Sequence, residues 1–320
     1  MKLYIPNSAF LGNIDPFLQW FDPTEPDKLE ITFNDKWISI HPLVLSMTAA
    51  LGMSVREAGG RIQCHQTTAR SMPYLVRMKL FDYLGVASEL TLQEHESAGR
   101  FIPLTNIKDG VSLTTFIEEL VPLLHTNPNQ ADSIKYTISE LVRNVLEHAQ
   151  ATQGAIVCAQ YFKKSNRISI GVADTGVGVK KTISVSYPVT SDGEAIKLAL
   201  IPGVTGTTSR PGGTEVNAGA GLFFIKSIAK VNQNFFVVCS GKGMYKLLKT
   251  RGAMKLYSDP TDDNHSFRED LPYWQGTAVG VDITVDNNQD FAELLALIRG
   301  VYRLDVRDRI KSRYKKARFI

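Results

Sequence analysis

Residues 132–150, DSIKYTISELVRNVLEHAQ, constrain the fold more than any other segment of the chain. Their apolar side chains recur three or four positions apart, which is the spacing of one face of an α-helix. The apolar positions are Ile134, Ile138, Leu141, Val142, Val145, Leu146 and Ala149. Asp132 is a suitable N-cap, because its carboxylate can accept a hydrogen bond from the first turn. The segment therefore predicts a helix with one buried face.

The same helix carries a polar stripe. At about 100° per residue, Glu140, Asn144 and His148 fall on one stripe roughly 80° wide beside the apolar face, whereas Arg143 and Glu147 should face solvent. Such a stripe is typical of a helix that borders a cleft. A carboxylate and a carboxamide one turn apart suit phosphate chemistry, because the amide oxygen can bind magnesium and the carboxylate can deprotonate a nucleophile. The alternative is an ordinary solvated helix surface.

A strand that ends in aspartate follows. Its predicted buried face is formed by Ile168, Ile170 and Val172, which alternate with small or polar residues. Asp174 continues the buried parity, and a desolvated carboxylate needs a partner. A purine amino group is such a partner. Gly176 and Gly178 let the backbone turn sharply and approach a ligand, although a capped turn after a strand is an alternative.

A glycine-rich loop, residues 203–221, precedes the helical pattern of residues 222–231. Gly219 and Gly221 leave backbone N–H groups free at the helix N-terminus, where phosphate is favoured, although a helix-packing glycine explains them equally well. The loop is expected to close over a nucleotide. It contains neither a P-loop nor a Rossmann fingerprint. Thr277, after an irregular polar stretch at 258–272, begins a further strand and is expected to bind the same base as Asp174.

Three regions can be distinguished. Residues 1–105 predict a small α/β domain, with strands at 29–33 and 61–64, a strand returning from the 34–35 turn at 37–40, and helices at 43–58 and 71–84. Residues 106–288 contain the motifs described above. Residues 289–320 predict a helix at 291–302 and a basic tail at 303–318, interpreted as a solvated surface with anion binding as the alternative.

Composition excludes several classes of protein. The chain of 320 residues has 43% hydrophobic and 21% charged residues, as in an ordinary globular protein. Its net charge of +4 does not by itself indicate a polyanionic partner. The three cysteines are far apart, so neither a disulfide framework nor a zinc site is expected. We see no signal peptide and no membrane span, so a cytoplasmic location is expected.

The order ExxxNxxxH, DTGVG, a loop ending in GAGL, and GT resembles the GHKL superfamily of ATP-binding proteins over residues 106–288. The resemblance implies an α+β fold: a two-layer sandwich of the Bergerat type, with helices on one face of a mixed sheet, preceded here by the smaller α/β domain. It implies ATP and Mg²⁺ as ligands. The implied roles are magnesium binding for Asn144, adenine binding for Asp174 with Thr277, pocket lining for Gly176 and Gly178, and phosphate binding for Gly219 and Gly221.

The segment SELVRNVLEHA is most similar to the serine kinases that act as anti-sigma factors and to gyrase-type ATPases, since Glu140 stands four residues before the asparagine. His125 lacks a following acidic residue and is cut off by Pro128, so a sensor kinase with an acceptor-histidine helix is not expected. The N-terminal region is interpreted as resembling the STAS-like domains that partner such kinases. The resemblance implies that it senses a signal or binds a partner.

Three functions follow as hypotheses. In the first, Glu140 activates water or a protein hydroxyl for ATP hydrolysis or phosphoryl transfer in a signalling role. In the second, ATP closes the loop at 203–218 and changes a surface for a protein partner or a second copy, with little or no hydrolysis. In the third, which is less favoured, the basic tail binds nucleic acid.

Overall fold

The structure is a computed structural model that describes residues 1–88, 90, 101–120, 128–206, 208, 220–250, 255–284 and 291–315. It is a mixed α and β protein with one large antiparallel sheet. The strands are β1 (Lys2–Ile5), β2 (Ser8–Ala9), β3 (Lys28–Phe33), β4 (Ser39–Ile40), β5 (Arg61–His65), β6 (Phe101–Ile107), β7 (Ala155–Phe162), β8 (Arg167–Ala173), β9 (Phe236–Gly241), β10 (Gly243–Leu247), β11 (His265–Arg268) and β12 (Trp274–Thr284). The helices are α1 (Asp15–Gln19), α2 (Pro42–Glu57), α3 (Met72–Arg77), α4 (Leu80–Leu84), α5 (Gly110–Thr115), α6 (Pro128–Asn144), α7 (Gly178–Ile183), α8 (Asp192–Ala199), α9 (Gly221–Val231) and α10 (Phe291–Lys315).

The N-terminal region contains a small parallel sheet in the order β1-β3-β5, packed with α2. The strands predicted at 29–33 and 61–64 and the helix predicted at 43–58 are confirmed as β3, β5 and α2. The strand predicted at 37–40 forms only at Ser39–Ile40, and its predicted return alongside β3 is wrong, because β4 pairs in parallel with β2. The helix predicted at 71–84 is divided into α3 and α4 at Lys79, whose φ of 62° is left-handed and breaks the helix.

The large sheet has the strand order β11-β10-β9-β12-β8-β7-β6, and every ladder between these strands is antiparallel. The mixed sheet implied by the family resemblance is therefore not what the described strands form. Strand β11 lies within the stretch at 258–272, which was predicted to be irregular, so that prediction is wrong for four residues. Strand β6 crosses the predicted domain boundary at residue 105.

Helices α6, α7, α8 and α9 cover the first face of this sheet and share one hydrophobic core with it. The strand residues that contribute to this core from β8 are Ile168, Ile170 and Val172. This is the predicted buried face of the strand, and it is confirmed. The apolar residues predicted for the helix at 132–150 lie in the same core, so the helix packs as its periodicity indicated.

The second face of the sheet is covered by the N-terminal region, mainly by α2. A Cβ atom at Gly171 would run into the backbone of Pro42 and Leu43, so glycine lets the start of α2 rest directly on β8. Ser46 on α2 donates a hydrogen bond to the carbonyl oxygen of Gly171 at 3.0 Å. At Gly280 on β12 a Cβ atom would lie 2.7 Å from Cδ2 of Leu11. The sheet is thus buried on both faces. The N-terminal region forms a third layer, which the sequence patterns did not predict.

A buried polar cluster links the same two regions. His41, fully buried, accepts a hydrogen bond from the Leu43 N–H at Nδ1 (2.9 Å), which caps α2. Its Nε2 lies 3.3 Å from Oδ1 of Asp282 on β12, and Ser169 on β8 donates to the same carboxylate. Burial lowers the pKa of His41, which favours the neutral imidazole, although Asp282 opposes this shift. Because Nδ1 accepts a hydrogen bond, a neutral ring carries its proton on Nε2, on the side of the carboxylate. This cluster fixes α2 against the sheet.

Helix α6 starts at Pro128, so Asp132 lies inside the helix and the prediction of an N-cap there is wrong. Proline suits a first helical position because its missing N–H is not needed there. After Asn144 the helix continues as a π-helical turn, Val145–Ala149, and it ends at Gln150, whose φ of 51° is left-handed. A single π turn is frequent at functional sites, and here it lies within the segment that was predicted to contain the site.

The C-terminal helix α10 is longer than predicted, because it extends from residue 291 through most of the basic tail. Leu294, Leu295 and Ile298 attach it to the core beneath α6 and α9. Among the described residues, no helix combines the length and the apolar character that a membrane crossing requires.

Candidate functional site

A cavity of about 300 Å³ lies between α6, α7, the start of α9 and the first face of the sheet. This volume falls within the range of small-molecule sites. Six of the eight residues that were predicted to bind or act on the ligand line it: Glu140, Asn144, Asp174, Gly178, Gly221 and Thr277. Gly219 lies outside the described residues. The structure thus brings together residues that are up to 137 positions apart in sequence, from Glu140 to Thr277.

The polar stripe of α6 borders the hydrophobic core as predicted. Glu140, Asn144 and His148 are each partly buried and line the cavity. Arg143 and Glu147 are exposed, which confirms the predicted orientation, although both also reach the rim of the cavity.

Glu140 and Asn144 meet the beginning of α9 at one point. An atom in the Cβ position of Gly221 would lie 2.9 Å from Oε2 of Glu140 and 3.3 Å from Nδ2 of Asn144. Gly221 is the first residue of α9, and the N-cap position, Ala220, has no side-chain cap. The first N–H groups of a helix have no intrahelical acceptor and carry partial positive charge. A carboxylate, a carboxamide and an uncapped helix N-terminus therefore converge at this end of the cavity.

The environment of Glu140 changes its acidity. Burial raises the pKa of this carboxyl group, with Glu147 acting in the same direction and Arg143 in the opposite one. A carboxylate with a raised pKa is a stronger base than an exposed one, so Glu140 is suited to accept a proton from a neighbouring hydroxyl or water.

Asp174 lies on the sheet side of the cavity, where the residue is only 1% exposed. Its Oδ1 accepts hydrogen bonds from the N–H groups of Gly176 at 2.8 Å and Thr277 at 3.3 Å. Its Oδ2 is buried without a partner among the described residues. Burial raises the pKa of Asp174 to about 6, and the two backbone donors only partly oppose this rise. The free oxygen is thus a ready acceptor for a donor group on a ligand.

Asn144 provides a second atom of this kind, since its Nδ2 is buried and unpartnered within the described part of the chain. A buried polar atom that makes no hydrogen bond costs about 1–3 kcal/mol. Two such atoms, on Asn144 and Asp174, belong to residues that line a single cavity. The arrangement favours a polar ligand that would satisfy both.

The two glycines of the DTGVG turn have different positions. Gly178, with a φ of 77°, lines the cavity at the start of α7, and a side chain there would also approach Ser240. Gly176 is not among the described residues that line the cavity. A Cβ atom on it would collide with the carbonyl oxygen of Ala149, so this glycine lets the turn lie against the end of the π-helical segment. It acts on the site through its N–H bond to Asp174.

Thr277 lies beside Asp174 on the neighbouring strand. Its carbonyl oxygen accepts from the N–H of Asp174 at 2.9 Å, and its own N–H donates to the Asp174 carboxylate. The backbone of Thr277 therefore orients the aspartate, while the residue also lines the cavity. Binding of a base by its hydroxyl group remains a prediction.

Other residues that shape the site had no recognisable sequence signal. Ser240 on β9 accepts from the N–H of Val179 at 2.9 Å and donates to the carbonyl oxygen of Gly276 at 2.7 Å, which joins two turns around the cavity. Thr182 on α7 lines the cavity and packs closely against Gly206 at the start of the glycine-rich loop. Single serines and threonines are too common in sequence for such roles to be read from spacing alone.

Whether the cavity could bind magnesium depends on which side-chain oxygen atoms are available as ligands. The described residues include no group of three or more His, Cys, Asp or Glu side chains that could hold a metal ion. An amide oxygen such as that of Asn144, supplemented by ligand phosphates, is however a normal partial shell for Mg²⁺, which usually binds through one or two protein oxygens with substrate phosphates and water. The residues present fit magnesium only together with a phosphorylated ligand.

Comparison of the chain with models of known protein families gives no match, and comparison with curated proteins gives no significant match either.

Proposed function

We propose that this protein binds ATP with magnesium in the cavity beside α6, and that Glu140 promotes hydrolysis of ATP or transfer of its terminal phosphoryl group to a protein hydroxyl. The observation that carries the proposal is the pair of buried unpartnered atoms, on Asn144 and Asp174, in one cavity. On this proposal the fold of the ATP-binding part is of the Bergerat type.

The proposed ligand pose follows from the chemistry of the two ends. The free oxygen of Asp174 accepts a hydrogen bond from the amino group of adenine, against the apolar walls formed by Val172 and Val279. The triphosphate extends toward the uncapped start of α9, where N–H groups favour anions. Asn144 would hold magnesium there, and the metal, when bound, would neutralise charge on the phosphate oxygens.

The proposed chemical step uses Glu140 as base. An oxygen of water or of a protein hydroxyl attacks the γ-phosphorus, its proton passes to the Glu140 carboxylate, and the bond to the β-phosphate oxygen breaks to release ADP. The raised pKa of Glu140 favours its role as proton acceptor.

A nucleotide-gated interaction is a second candidate. Both described ends of the glycine-rich loop, at 204–206 and at 220–221, line the cavity. A bound nucleotide would contact both ends of the loop. Binding would then change the conformation of the loop and of any partner-binding surface that the loop forms.

Incubation with γ-labelled ATP and magnesium separates these candidates, because released phosphate, labelled protein and unchanged ATP are distinguished in one assay. In Glu140→Gln we expect ATP binding by calorimetry to persist and turnover to fall by about 10²–10⁴-fold, since the base is lost and the shape retained. Glu118→Gln is the matched control, because Glu118 is exposed and is not a cavity residue. An absence of binding heat with ATP and magnesium would refute the proposed function, and unchanged turnover in Glu140→Gln would refute the role of the base.

A further inference from the structure

An exposed stripe runs along the outer side of α10. Its members lie alternately three and four positions apart, and we refer to them as the α10 stripe: Glu293, Leu297, Gly300, Leu304, Arg307 and Lys311. The opposite side of the helix is held by the core residues Leu294, Leu295 and Ile298 and by the contact between the rings of Phe224 and Tyr302, whose centroids are 6.0 Å apart. The stripe therefore faces mostly away from the domain, although Leu304 also borders an open groove that Leu256 and Tyr257 line.

The centre of the stripe is apolar. Leu297 is 49% and Leu304 54% exposed, an unusual exposure for two leucines one heptad apart on the same helix face. Gly300 lies between them, and a Cβ atom there would meet nothing within 4 Å. A glycine inside a helix costs about 1 kcal/mol relative to alanine, and no described neighbour requires it here. Two leucines around a glycine form a surface on which a second helix can pack closely.

The spacing of the stripe also matches a helix-pairing seam. Steps of three and four residues give an average of 3.5, the repeat with which two helices keep one face in contact. The scattered exposed apolar residues elsewhere on the described surface, such as Val111 and Val185, do not form a series of this kind.

The charges at the two ends of the stripe are complementary. Glu293 precedes the apolar centre, while Arg307 and Lys311 follow it, with Asp308 between them. Glu293 and Arg307 lie seven residues to either side of Gly300. A second α10 that runs antiparallel and crosses at Gly300 therefore places Glu293 opposite Arg307 of the other copy, twice, and Leu297 within one residue of the position opposite Leu304. Arg307 lies 4.0 Å from Asp308 at the exposed surface, a contact that leaves it free to reach across.

We propose that two copies of this chain associate through antiparallel packing of their α10 stripes, with a two-fold axis near Gly300. A two-fold interface requires a self-complementary patch, and the order acidic, apolar, basic along one helix is such a patch. The stripe is only about 27 Å long, so the buried area falls below the roughly 800 Å² per partner of a stable complex. The dimer is accordingly weak and concentration-dependent, and it forms without nucleotide.

Sedimentation velocity of the full chain over a range of concentrations tests this association. The parent protein is expected to show a reversible monomer–dimer equilibrium. Leu304→Glu should weaken the association by about tenfold or more, because a leucine that the proposed dimer would bury is replaced by a charge. Val111→Glu is the matched control, since it adds the same charge at another exposed apolar position and should leave the equilibrium unchanged. Circular dichroism confirms that each variant is folded.

Charge exchange tests the orientation. Glu293→Arg and Arg307→Glu should each weaken self-association, because like charges then face each other across the two-fold axis. An equimolar mixture of the two variants should associate at least as strongly as the parent, since each contact then joins unlike charges. A parent that remains monomeric to about 100 μM would overturn the proposal. So would a dimer that is insensitive to Leu304→Glu, or single variants that mixing does not rescue.

Discussion

On the sheet face beneath α2, the buried carboxylate of Asp282 lies against polar side chains of the protein, whereas on the face beneath α6 the buried carboxylate of Asp174 leaves one oxygen unpartnered beside a cavity. The carboxylate of Asp282 lies with His41 and Ser169, and the backbone of α2 rests on glycine without a gap. Asp174 follows β8, the strand next to the β12 strand of Asp282, and its Oδ2 has no described partner. The first carboxylate is satisfied within the protein, whereas on the proposed function the second would complete its hydrogen bonding with a ligand.

The difference between these faces also concerns glycine. Gly171 and Gly280 belong to the packed face, where they let another part of the chain approach. Gly178 and Gly221 belong to the cavity face, where the neighbouring groups are polar side chains, Ser240 for one and Glu140 with Asn144 for the other. Glycine thus leaves room for another part of the backbone or an apolar side chain on one face and for polar side chains of the cavity on the other.

The largest expected effect breaks the packed face. Gly171→Val places a branched side chain where the backbone of Pro42 and Leu43 lies, so α2 would have to leave the sheet. We expect a loss of unfolding free energy of about 3 kcal/mol, at the upper end of overpacking effects. Chemical denaturation followed by circular dichroism measures it.

Gly110→Ala is the control for this variant, because nothing lies within 4 Å of its Cβ position. Its midpoint should stay within about 0.5 kcal/mol of the parent. If Gly171→Val proved equally harmless, the direct seating of α2 on β8 would be wrong.

An effect of comparable size but opposite sign is expected on the cavity face. Burial raises the pKa of Asp174 from its ordinary value of 3.8 to about 6, so its ionised form opposes folding. Its contribution to stability is therefore most favourable at low pH and is lost as the pH rises from about 4 through 6, to a total of about 3 kcal/mol. Asp174→Asn should remove this pH dependence and raise stability at pH 7.

The same substitution should weaken ATP binding by about tenfold or more, because the free carboxylate oxygen is replaced. Denaturation across this pH range and calorimetry with ATP and magnesium together measure both effects. A variant that lost stability at neutral pH, or that bound ATP like the parent, would show that Asp174 serves the fold and not a ligand.

The elements of the cavity face were the most predictable from sequence. The periodicity of residues 134–149 located both the core side and the polar stripe of α6, and the parity of β8 placed Asp174 beside the core. These predictions succeeded because each depends on local geometry that sequence spacing specifies directly.

The packed face was missed for a physical reason. Its residues on the central strands, such as Cys158, Ala173 and Cys239, are small and weakly apolar, and small residues are compatible with either a solvated or a covered surface. The π-helical turn at Val145–Ala149 was also missed, because it depends on contacts with the DTGVG turn that no periodicity records. Long-range packing, and not local propensity, decided both.

The smallest effect concerns Gln153, which lies between the two faces. Its Nε2 donates to Glu57 at the end of α2 at 3.0 Å, and its Oε1 accepts from the hydroxyl of Thr175 in the DTGVG turn at 3.5 Å. Gln153→Ala should lower stability by about 1 kcal/mol, the usual worth of such bonds. ATP affinity should change by less than about threefold, because backbone N–H groups, and not Gln153, orient Asp174.

Parallel calorimetry and denaturation of Gln153→Ala decide whether the two faces act independently. Glu57 is exposed, so Glu57→Ala removes the same bond without opening a buried gap and serves as the matched variant. If both variants reduced ATP affinity tenfold while stability hardly changed, α2 would be communicating with the cavity through Gln153. The N-terminal region would then regulate nucleotide binding from the packed face. That face would therefore serve ligand binding as well as stability.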